Sequence, residues 1–202
     1  MKLIIMTKST FFVEEDKILA TLFDEGLDNL HLYKPGQSPL YSERLLSLLP
    51  EDYYRKITVH DHFYLKSEYN LAGIHLDDEL ATIPVGYKGH MGRTCTQISQ
   101  LKEAKKSSNY VFLRNIADNK EYNDGKTSFA LQELQEASRQ GLIDKKVYAT
   151  GGMSIDSLKM CKDLGFGGIV ISSDLWDKFD IHYQNDYKDL ITHFQKLRKT
   201  IG

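Results

Sequence analysis

The sequence predicts a single-domain (β/α)8 barrel, on three observations. Short apolar runs rich in β-type residues alternate with helix-period stretches along nearly all of the 202 residues. About eight such alternations can be counted, which is the number a (β/α)8 TIM barrel needs. The turn after the first run lacks the GxGxxG pattern of dinucleotide-binding folds, so an open doubly wound sheet is the less favoured alternative. We expect one domain over residues 1–202, with no linker between parts.

The strands are predicted wherever a short apolar run is bounded by turn residues or polar residues. They cover residues 3–6, 29–33, 57–61, 72–76, 85–91, 110–114, 146–150 and 168–172. Helices are predicted between them from apolar residues that recur every three or four positions. They cover residues 13–25, 38–49, 63–70, 96–106, 128–141, 154–165 and 187–200.

Composition excludes several classes of partner. The formal net charge is −2, and no basic block is present, which argues against nucleic acid or an anionic membrane as a partner. No apolar run approaches the roughly 20 residues of a membrane span, and the first residues do not resemble a signal peptide. Two cysteines, Cys95 and Cys161, are too few for a disulfide framework. We therefore expect a cytoplasmic protein; its oligomeric state stays open.

The last β-α-β unit predicts a phosphate site. In a (β/α)8 barrel, the loops after the last two strands commonly bind phosphate through converging backbone N–H groups. Gly151 and Gly152 follow the seventh predicted strand, where the lack of a Cβ would let the backbone approach a phosphate oxygen. Ser172 and Ser173 follow the eighth strand and can present hydroxyls and amides to the same anion. A polar loop over residues 117–128 is expected at the same face.

A cluster of histidines allows a second interpretation. The segment His60-Asp61-His62, together with His75, contains imidazoles and a carboxylate that suit zinc or another transition metal. If the third strand continued past Val59, His60 and His62 would point to one side and Asp61 to the other. Lone histidines near a barrel mouth more often serve as hydrogen-bonded core or substrate groups. Transition-metal binding is therefore the less favoured interpretation.

Five segments in order resemble the thiamine phosphate synthase and thiazole tautomerase family over nearly the whole chain. They are "GLDNLHLYKP" (26–35), "HDHFYLKSEYNLAGIHLDDEL" (60–80), "GRTCTQ" (92–97), "YATGGM" (148–153) and "GFGGIVISSDL" (165–175). The resemblance implies a (β/α)8 barrel, in agreement with the count of strands. It also implies an enzyme that joins a pyrimidine diphosphate to a thiazole phosphate and releases pyrophosphate with Mg²⁺. The partners would be small phosphorylated substrates.

The resemblance also implies site residues, taken over position by position. Asp61 matches a metal-binding aspartate, and Lys120 matches a lysine that would neutralise charge, so both are predicted catalytic residues. Gly151, Gly152 and Ser173 match the thiazole phosphate pocket, and Ser172 stands beside them. The remaining predicted substrate-binding residues, for the pyrimidine or the diphosphate, are His31, Tyr33, Lys34, His60 and Thr94.

Several positions depart from the family pattern at the diphosphate and metal end. Tyr33 replaces an arginine and Pro35 a lysine, although Lys34 lies one place away. Leu80 replaces a second metal-binding aspartate, although Asp77, Asp78 and Glu79 precede it, and this weakens the Mg²⁺ prediction. Two alternatives follow. One is a thiazole phosphate tautomerase-like isomerase, against which Thr96 stands in place of a proton-shuttling histidine. The other is a divergent, non-catalytic binder of phosphate ligands.

Overall fold

The computed structural model describes residues 1–78, 81–121 and 126–202. In these residues, eight β-strands alternate with helices along the chain. The strands are β1 (Lys2–Met6), β2 (Leu30–Leu32), β3 (Ile57–Val59), β4 (Gly73–Leu76), β5 (His90–Cys95), β6 (Tyr110–Leu113), β7 (Val147–Ala149) and β8 (Gly168–Ile171).

Eight α-helices and three short 3-10 helices surround the strands in the described part of the chain. The α-helices are α1 (Glu15–Asp24), α2 (Pro39–Leu48), α3 (Leu65–Glu68), α4 (Leu101–Ser107), α5 (Leu131–Arg139), α6 (Leu158–Asp163), α7 (Ser173–Trp176) and α8 (Lys188–Ile201). The 3-10 helices are Glu51–Lys56, Ile98–Gln100 and Ile155–Ser157. Helix α2 begins with Pro39 at its first position after Ser38, as the sequence predicts. No helix among these is long and apolar enough to cross a bilayer.

The strands form a closed barrel, which confirms the predicted fold class. Each strand pairs in parallel with the next, and β8 pairs with β1 to close the ring. Ile5 of β1 is aligned with Leu30 on one side and with Ile171 on the other. Because all strands run in the same direction, their carboxyl ends meet at one mouth, where the following loops converge.

Side chains alternate between two buried layers, as the two-residue period of a strand requires. The outer layer, between strands and helices, is aliphatic and includes Ile5, Ile57 and Ile74. The interior of the barrel is filled differently, by aromatic and polar groups. Its apolar part consists of Ile4, Met6, Tyr110, Phe112, Tyr148 and Val170. Four buried polar side chains lie on the strands beside them, namely His31, Thr58, His75 and Thr94.

The prediction for the fifth strand is wrong. It covers residues 85–91, whereas β5 spans His90–Cys95, and Val85 is fully exposed. The reason lies in the interior of the barrel: Gly92 and Thr94 look like loop residues but fit among Tyr110 and His75. Cys95 is consequently the last, buried residue of a strand and not a loop residue. The other seven strands begin and end within about two residues of their predicted bounds.

Candidate active site

The mouth of the barrel contains two adjoining cavities between the loops. One, of about 170 Å³, is lined by residues that follow β1, β2, β6 and β8, including Thr7, Tyr33 and Ser173. The other, of about 290 Å³, shares Ser173 with it and extends to Gly152. A larger cavity of about 440 Å³ lies at the opposite end, between β1 and α8. We assign the site to the mouth despite its smaller volume, because loops after the carboxyl ends of the strands carry the chemistry of this fold.

An anion cradle is formed where the sequence predicts a phosphate site, and a carboxylate of the chain lies in it. Glu121 Oε1 accepts hydrogen bonds from the Ser173 hydroxyl at 2.6 Å and from the Ser173 backbone N–H at 3.1 Å. Glu121 Oε2 accepts the Gly152 backbone N–H at 3.4 Å. Three donors from the loops after β7 and β8 therefore converge on one anionic group, as phosphate binding requires.

The glycines of this cradle are required by the chain itself. Both have positive φ, +85° at Gly151 and +67° at Gly152, in the left-handed region that other residues rarely adopt. A Cβ at Gly152 would collide with the carbonyl oxygen of Asp118. A Cβ at Gly151 would lie 2.7 Å from the backbone nitrogen of Asn115. The glycines thus let the loop after β6 pack against the loop after β7 and leave the Gly152 amide facing the anion.

Ser172 and Ser173 lie side by side but face different partners. The Ser172 side chain is buried, and its hydroxyl donates to the carbonyl oxygen of Thr7 at 3.5 Å. Ser172 lines the smaller cavity, whereas Ser173 lines both. Of the two predicted hydroxyls, that of Ser173 contacts the Glu121 carboxylate, and that of Ser172 ties the loop to β1.

Asp61 presents an oxygen that suits a metal ion. Its Oδ2 atom is buried and has no hydrogen-bond partner among the residues that the structure describes. A buried carboxylate oxygen without a partner is costly unless a ligand satisfies it. A carboxylate oxygen is also the kind of ligand that Mg²⁺ prefers. The residue predicted to bind the metal therefore fits that role in its chemistry. Leu80, which weakens the prediction, lies outside the described residues.

Tyr33 stands where the family has an arginine, and its surroundings are mixed in charge. Burial, followed by the charges of Asp77 and Asp61, raises the pKa of Tyr33 to about 12. The Arg114 guanidinium acts in the opposite direction on the same pKa, so it lies near the phenol. Tyr33 is therefore a neutral hydrogen-bonding group at physiological pH. Position 33 lacks the cation of the family, but Arg114, on the loop after β6, places a positive charge near it.

His31, His60 and Thr94 come together in one buried network beside Asp77. Asp77 Oδ2 accepts from His60 Nδ1 at 2.6 Å, and Asp77 Oδ1 accepts from the Thr94 hydroxyl at 3.3 Å. His60 Nε2 lies 2.7 Å from His31 Nδ1. Burial, and next the neighbouring His60, holds the pKa of His31 well below its ordinary value. His31 is 1% exposed and His60 4%, so both lie beneath the mouth, and substrate binding by them stays a prediction.

Lys34 is placed in the protein core. Its ammonium group donates to Glu15 Oε1 at 2.6 Å and to the Thr10 carbonyl oxygen at 2.9 Å. It also lies 4.4 Å from the centroid of the Phe11 ring. The residue is 1% exposed. This cation links the loop after β2 to α1, and a role in substrate binding stays a prediction without support from its surroundings.

Lys120 lies at the mouth and is largely exposed. Its ammonium group forms an ion pair with Asp177 Oδ2 at 3.2 Å, and the Lys120 side chain is 81% exposed. It lines both cavities, next to Ser173. A long, mobile cation in this position can reach an anion bound at the cradle. The structure therefore places Lys120 beside the predicted phosphate site.

Three further residues at the mouth were missed in the sequence. Lys8 follows β1 and lines the smaller cavity, Arg114 follows β6, and Glu121 lies in the cradle. Lys8 and Arg114 could have been found from their positions at or just after the carboxyl ends of predicted strands, because such residues meet at the mouth of a barrel. No signal in the sequence indicates that Glu121 reaches the cradle, because this depends on the path of a long loop.

Thiamine-phosphate synthases are among the known proteins that the chain resembles. No protein-family model matches it. The thiamine-phosphate synthase of Limosilactobacillus reuteri (strain DSM 20016) is 22% identical over 149 residues, which are 70% of this chain. The chain spans 64% of the length of that curated relative. The thiamine phosphate pyrophosphorylase from Pyrococcus furiosus is 16% identical, covers 99% of this chain and 95% of its own, and has a TM-score of 0.73, which supports the fold.

A second solved structure is much more similar. The crystal structure of thiamine phosphate pyrophosphorylase from Bacteroides thetaiotaomicron is 47% identical in sequence. The match covers 99% of this chain and 97% of the other, with a TM-score of 0.88. Identity at this level over both full lengths, together with the (β/α)8 barrel and the anion cradle at its mouth, leaves one assignment. The chain belongs to the thiamine phosphate pyrophosphorylase family, whose members are also named thiamine-phosphate synthases.

Proposed function

We propose that the protein is a thiamine phosphate synthase. It would join a hydroxymethylpyrimidine diphosphate to a thiazole phosphate and release pyrophosphate. The observation that carries the proposal is the cradle in which Gly152 and Ser173 hold the carboxylate of Glu121. A cradle for an anion at this place suits the phosphate of the thiazole substrate, and the family membership supplies the reaction.

The thiazole phosphate would replace Glu121 in the cradle. The Ser173 hydroxyl and two backbone N–H groups already converge on oxygens there, so few donors need to move when a phosphate binds. Such preorganised donors would fix the position of the thiazole ring relative to the pyrimidine. Glu121 belongs to the loop after β6, so its displacement would couple substrate binding to the position of that loop.

The diphosphate would bind on the other side of the mouth, near Asp61. Asp61 would hold Mg²⁺, which neutralises the charge of the leaving pyrophosphate. Lys120 and Lys8, which line the smaller cavity, would add positive charge to the same group. Tyr33 would donate a hydrogen bond from its neutral phenol, and Arg114 would supply the cation that position 33 lacks.

The bond changes follow from this placement. The bond between the pyrimidine methylene carbon and the diphosphate oxygen breaks, and its electron pair leaves with pyrophosphate. The thiazole nitrogen then attacks the methylene carbon. The residues of the mouth have to bind two anions close together, exclude water and orient the nitrogen towards the carbon, which are tasks of positioning and of charge stabilisation.

The tautomerase alternative draws no support from the relatives, whose names are those of synthases or pyrophosphorylases. Thr96, at the position of the proton-shuttling histidine, is tied to Gln100, whose Oε1 accepts the Thr96 backbone N–H at 2.9 Å. A non-catalytic binder would keep the phosphate cradle and lack turnover. The same assay therefore separates the synthase from the other two functions.

A synthase assay tests the proposal. Purified protein is incubated with the pyrimidine diphosphate and the thiazole phosphate, with and without Mg²⁺, and both pyrophosphate and coupled product are measured. Product in one-to-one ratio with pyrophosphate, dependent on Mg²⁺, is the expected result. Absence of product, with saturable binding of thiazole phosphate alone, would reject the synthase and favour an isomerase or a binder.

A further inference from the structure

We propose that His31, His60 and His75 form a binding site for a divalent transition-metal ion of the zinc class inside the barrel. The three imidazoles come from β2, from the end of β3 and from β4. One ring nitrogen of each lies within 4.8 Å of the others. This site does not include Asp61, and its test does not depend on the proposed synthase reaction.

The cluster differs from the one that the sequence indicates. His62 does not belong to it: β3 ends at Val59, His62 has a φ of +50°, and its Nε2 atom lies 2.9 Å from the carbonyl oxygen of Gln37. His31, which lies far from the other two in the sequence, takes its place. All three members are at least 96% buried, as exposures of 1%, 4% and 0% for His31, His60 and His75 show.

The partners of the three rings fix which nitrogens are free to bind an ion. Asp77 is a carboxylate and only accepts, so His60 donates to it from Nδ1 at 2.6 Å and keeps a lone pair on Nε2. That lone pair faces His31 Nδ1 at 2.7 Å. Two nitrogens thus point at each other inside a dry core. An ion between them would replace the single proton that they share.

Without an ion, the hydrogen bonds of this network close in only one way. His31 donates from Nδ1 to His60, so its Nε2 atom needs a donor, and the hydroxyl of Tyr110 lies 3.4 Å away. The Tyr110 oxygen then accepts from His75 Nδ1 at 3.2 Å, and the Thr94 hydroxyl donates to His75 Nε2 at 2.9 Å. In this arrangement Thr94 gives up its 3.3 Å hydrogen bond to Asp77, whose side chain is 30% exposed.

With an ion bound, every ring nitrogen of the three histidines has a partner. His31 binds through Nδ1, carries its proton on Nε2 and donates it to the Tyr110 oxygen. His60 binds through Nε2 and keeps its bond to Asp77. His75 can bind through either nitrogen, because the other N–H has an acceptor in Thr94 or in Tyr110. Tyr110 is also hydrogen-bonded to Thr58. Acceptors behind each ligating histidine are the usual support of such sites.

The chemistry of the cluster matches the zinc class. Neutral imidazole is the ligand type that suits zinc and its neighbours, and three histidines with an open fourth position are a known catalytic set for zinc. Burial, the largest cause, holds the pKa of His31 and that of His75 well below their ordinary values, so both rings are neutral and available to a cation. At zinc–nitrogen distances of about 2.0–2.1 Å, tetrahedral ligand atoms lie roughly 3.4 Å apart. Zinc binding therefore requires His31 Nδ1 and His60 Nε2, which lie 2.7 Å apart, to separate by roughly 0.7 Å.

The barrel also makes room for the contacts behind the ligands. Gly92 of β5 lies against the ring of Tyr110 and against His75 Nδ1, and a Cβ at this position would collide with the Tyr110 ring. The Tyr110 ring can therefore pack beside His75 only because position 92 is a glycine. An ion held by β2, β3 and β4 would tie three neighbouring strands together from inside, which predicts a gain in stability on binding.

The test uses the full chain without a histidine tag, treated with a chelator and then titrated with Zn²⁺ and, separately, with Co²⁺. One equivalent is expected to bind, to raise the melting temperature and, with Co²⁺, to give visible ligand-field absorption. His31→Asn and His75→Asn should each weaken binding by more than about 100-fold. This exceeds the roughly 10–100-fold loss expected when a residue hydrogen-bonded to a ligating histidine is replaced. His62→Asn is the matched control and should bind like the unaltered protein.

Tyr110→Phe provides a second variant in case the histidine variants do not fold. It keeps the aromatic ring and removes only the oxygen behind the ligands, so Zn²⁺ affinity should fall about 10–100-fold while the fold is kept. The proposal is overturned if no stoichiometric metal binds. It is equally overturned if binding survives in His31→Asn and His75→Asn, or if Tyr110→Phe binds like the unaltered protein. Metal content and spectra are measured without substrates, so a failed synthase assay has no bearing on this result.

Discussion

Ser173 donates two hydrogen bonds to one oxygen of Glu121, from its hydroxyl at 2.6 Å and from its backbone N–H at 3.1 Å. The acceptor comes from the loop after β6 and the donors from the start of α7, which are 52 residues apart in the chain. A phosphate that binds to these donors must displace a carboxylate that the protein itself supplies. Glu121 therefore competes with the ligand.

Replacing Glu121 should strengthen phosphate binding. In Glu121→Gln the side chain keeps its size and loses its charge, so the charge-assisted hydrogen bonds to the cradle weaken by about 1–2 kcal/mol. We expect thiazole phosphate, measured by calorimetry without the second substrate, to bind about tenfold more tightly. Glu51→Gln, on the exposed 3-10 helix before β3, is the control. Weaker binding by Glu121→Gln would mean that Glu121 supports the site.

Gly152→Ala should abolish the cradle. The new Cβ would collide with the carbonyl oxygen of Asp118, at a φ of +67°. Gly165→Ala is a matched control, because Gly165 has a φ of +81° and nothing within 4 Å of an added Cβ. Gly165→Ala should lower the free energy of unfolding by about 1–2 kcal/mol through backbone strain alone. Gly152→Ala should lose about 1–3 kcal/mol more, together with phosphate binding. Equal losses in both variants would refute the close packing described here.

The sequence predicts the fold and part of the mouth for a physical reason. Strand-period and helix-period patterns are local, and a closed barrel places every residue that follows a strand at one end. Gly151, Gly152, Ser173 and Lys120 could therefore be placed at the mouth from strand positions alone. The resemblance to a known family named the same residues, together with Asp61.

What the sequence cannot predict depends on packing inside the barrel and on long loops. Lys34 is next to the motif position of a substrate-binding lysine, yet its partner Glu15 lies 19 residues earlier and draws it into the core. Strand β5 contains no apolar run, because Gly92 and Thr94 face an interior that is polar beside His75. The parallel pairing of β2 with β3 brings His31 next to His60.

The Lys34–Glu15 pair should contribute little to the free energy of unfolding, whereas removal of one partner alone should lower it strongly. Burial, the largest cause, raises the pKa of Glu15 and lowers the pKa of Lys34, although each charge opposes the shift of the other. Lys34→Met leaves a buried carboxylate without its cation and should lower the free energy of unfolding by about 3–5 kcal/mol at neutral pH. The double variant Lys34→Met/Glu15→Gln should lie within about 1 kcal/mol of the unaltered protein.

The pH dependence of the single variant checks the same pair. A carboxyl group whose pKa is raised in the folded state contributes stability below its ordinary pKa and loses it as the pH rises through the raised value. Lys34→Met removes the cation that opposes this rise, so its loss of stability should shrink as the pH is lowered towards the ordinary range of a glutamate. Denaturant unfolding at several pH values measures this. A loss that is independent of pH would show that Lys34 acts through packing alone.

Asp61→Asn should remove most of the Mg²⁺-dependent activity. The buried Oδ2 atom lacks a hydrogen-bond partner in the described residues, and an amide in its place cannot balance the charge of a cation. If the group acts in the transition state, kcat should fall on the order of 10²–10³. Asp28→Asn, whose side chain is 85% exposed at the opposite end of the barrel, is the control. A fully active Asp61→Asn variant would refute the role of Asp61 as a metal ligand.

Lys120 should act on the leaving diphosphate through charge. Its side chain is 81% exposed and paired with Asp177, so part of its effect is screened by solvent, and Lys120→Ala should lower kcat by roughly tenfold rather than a thousandfold. Lys178→Ala is the control, because Lys178 lines the same cavity without matching the family lysine. Because the interaction is between exposed charges, the difference between the two variants should shrink when salt is raised. An equal effect of both substitutions would mean that Lys120 only adds to the general positive potential of the mouth.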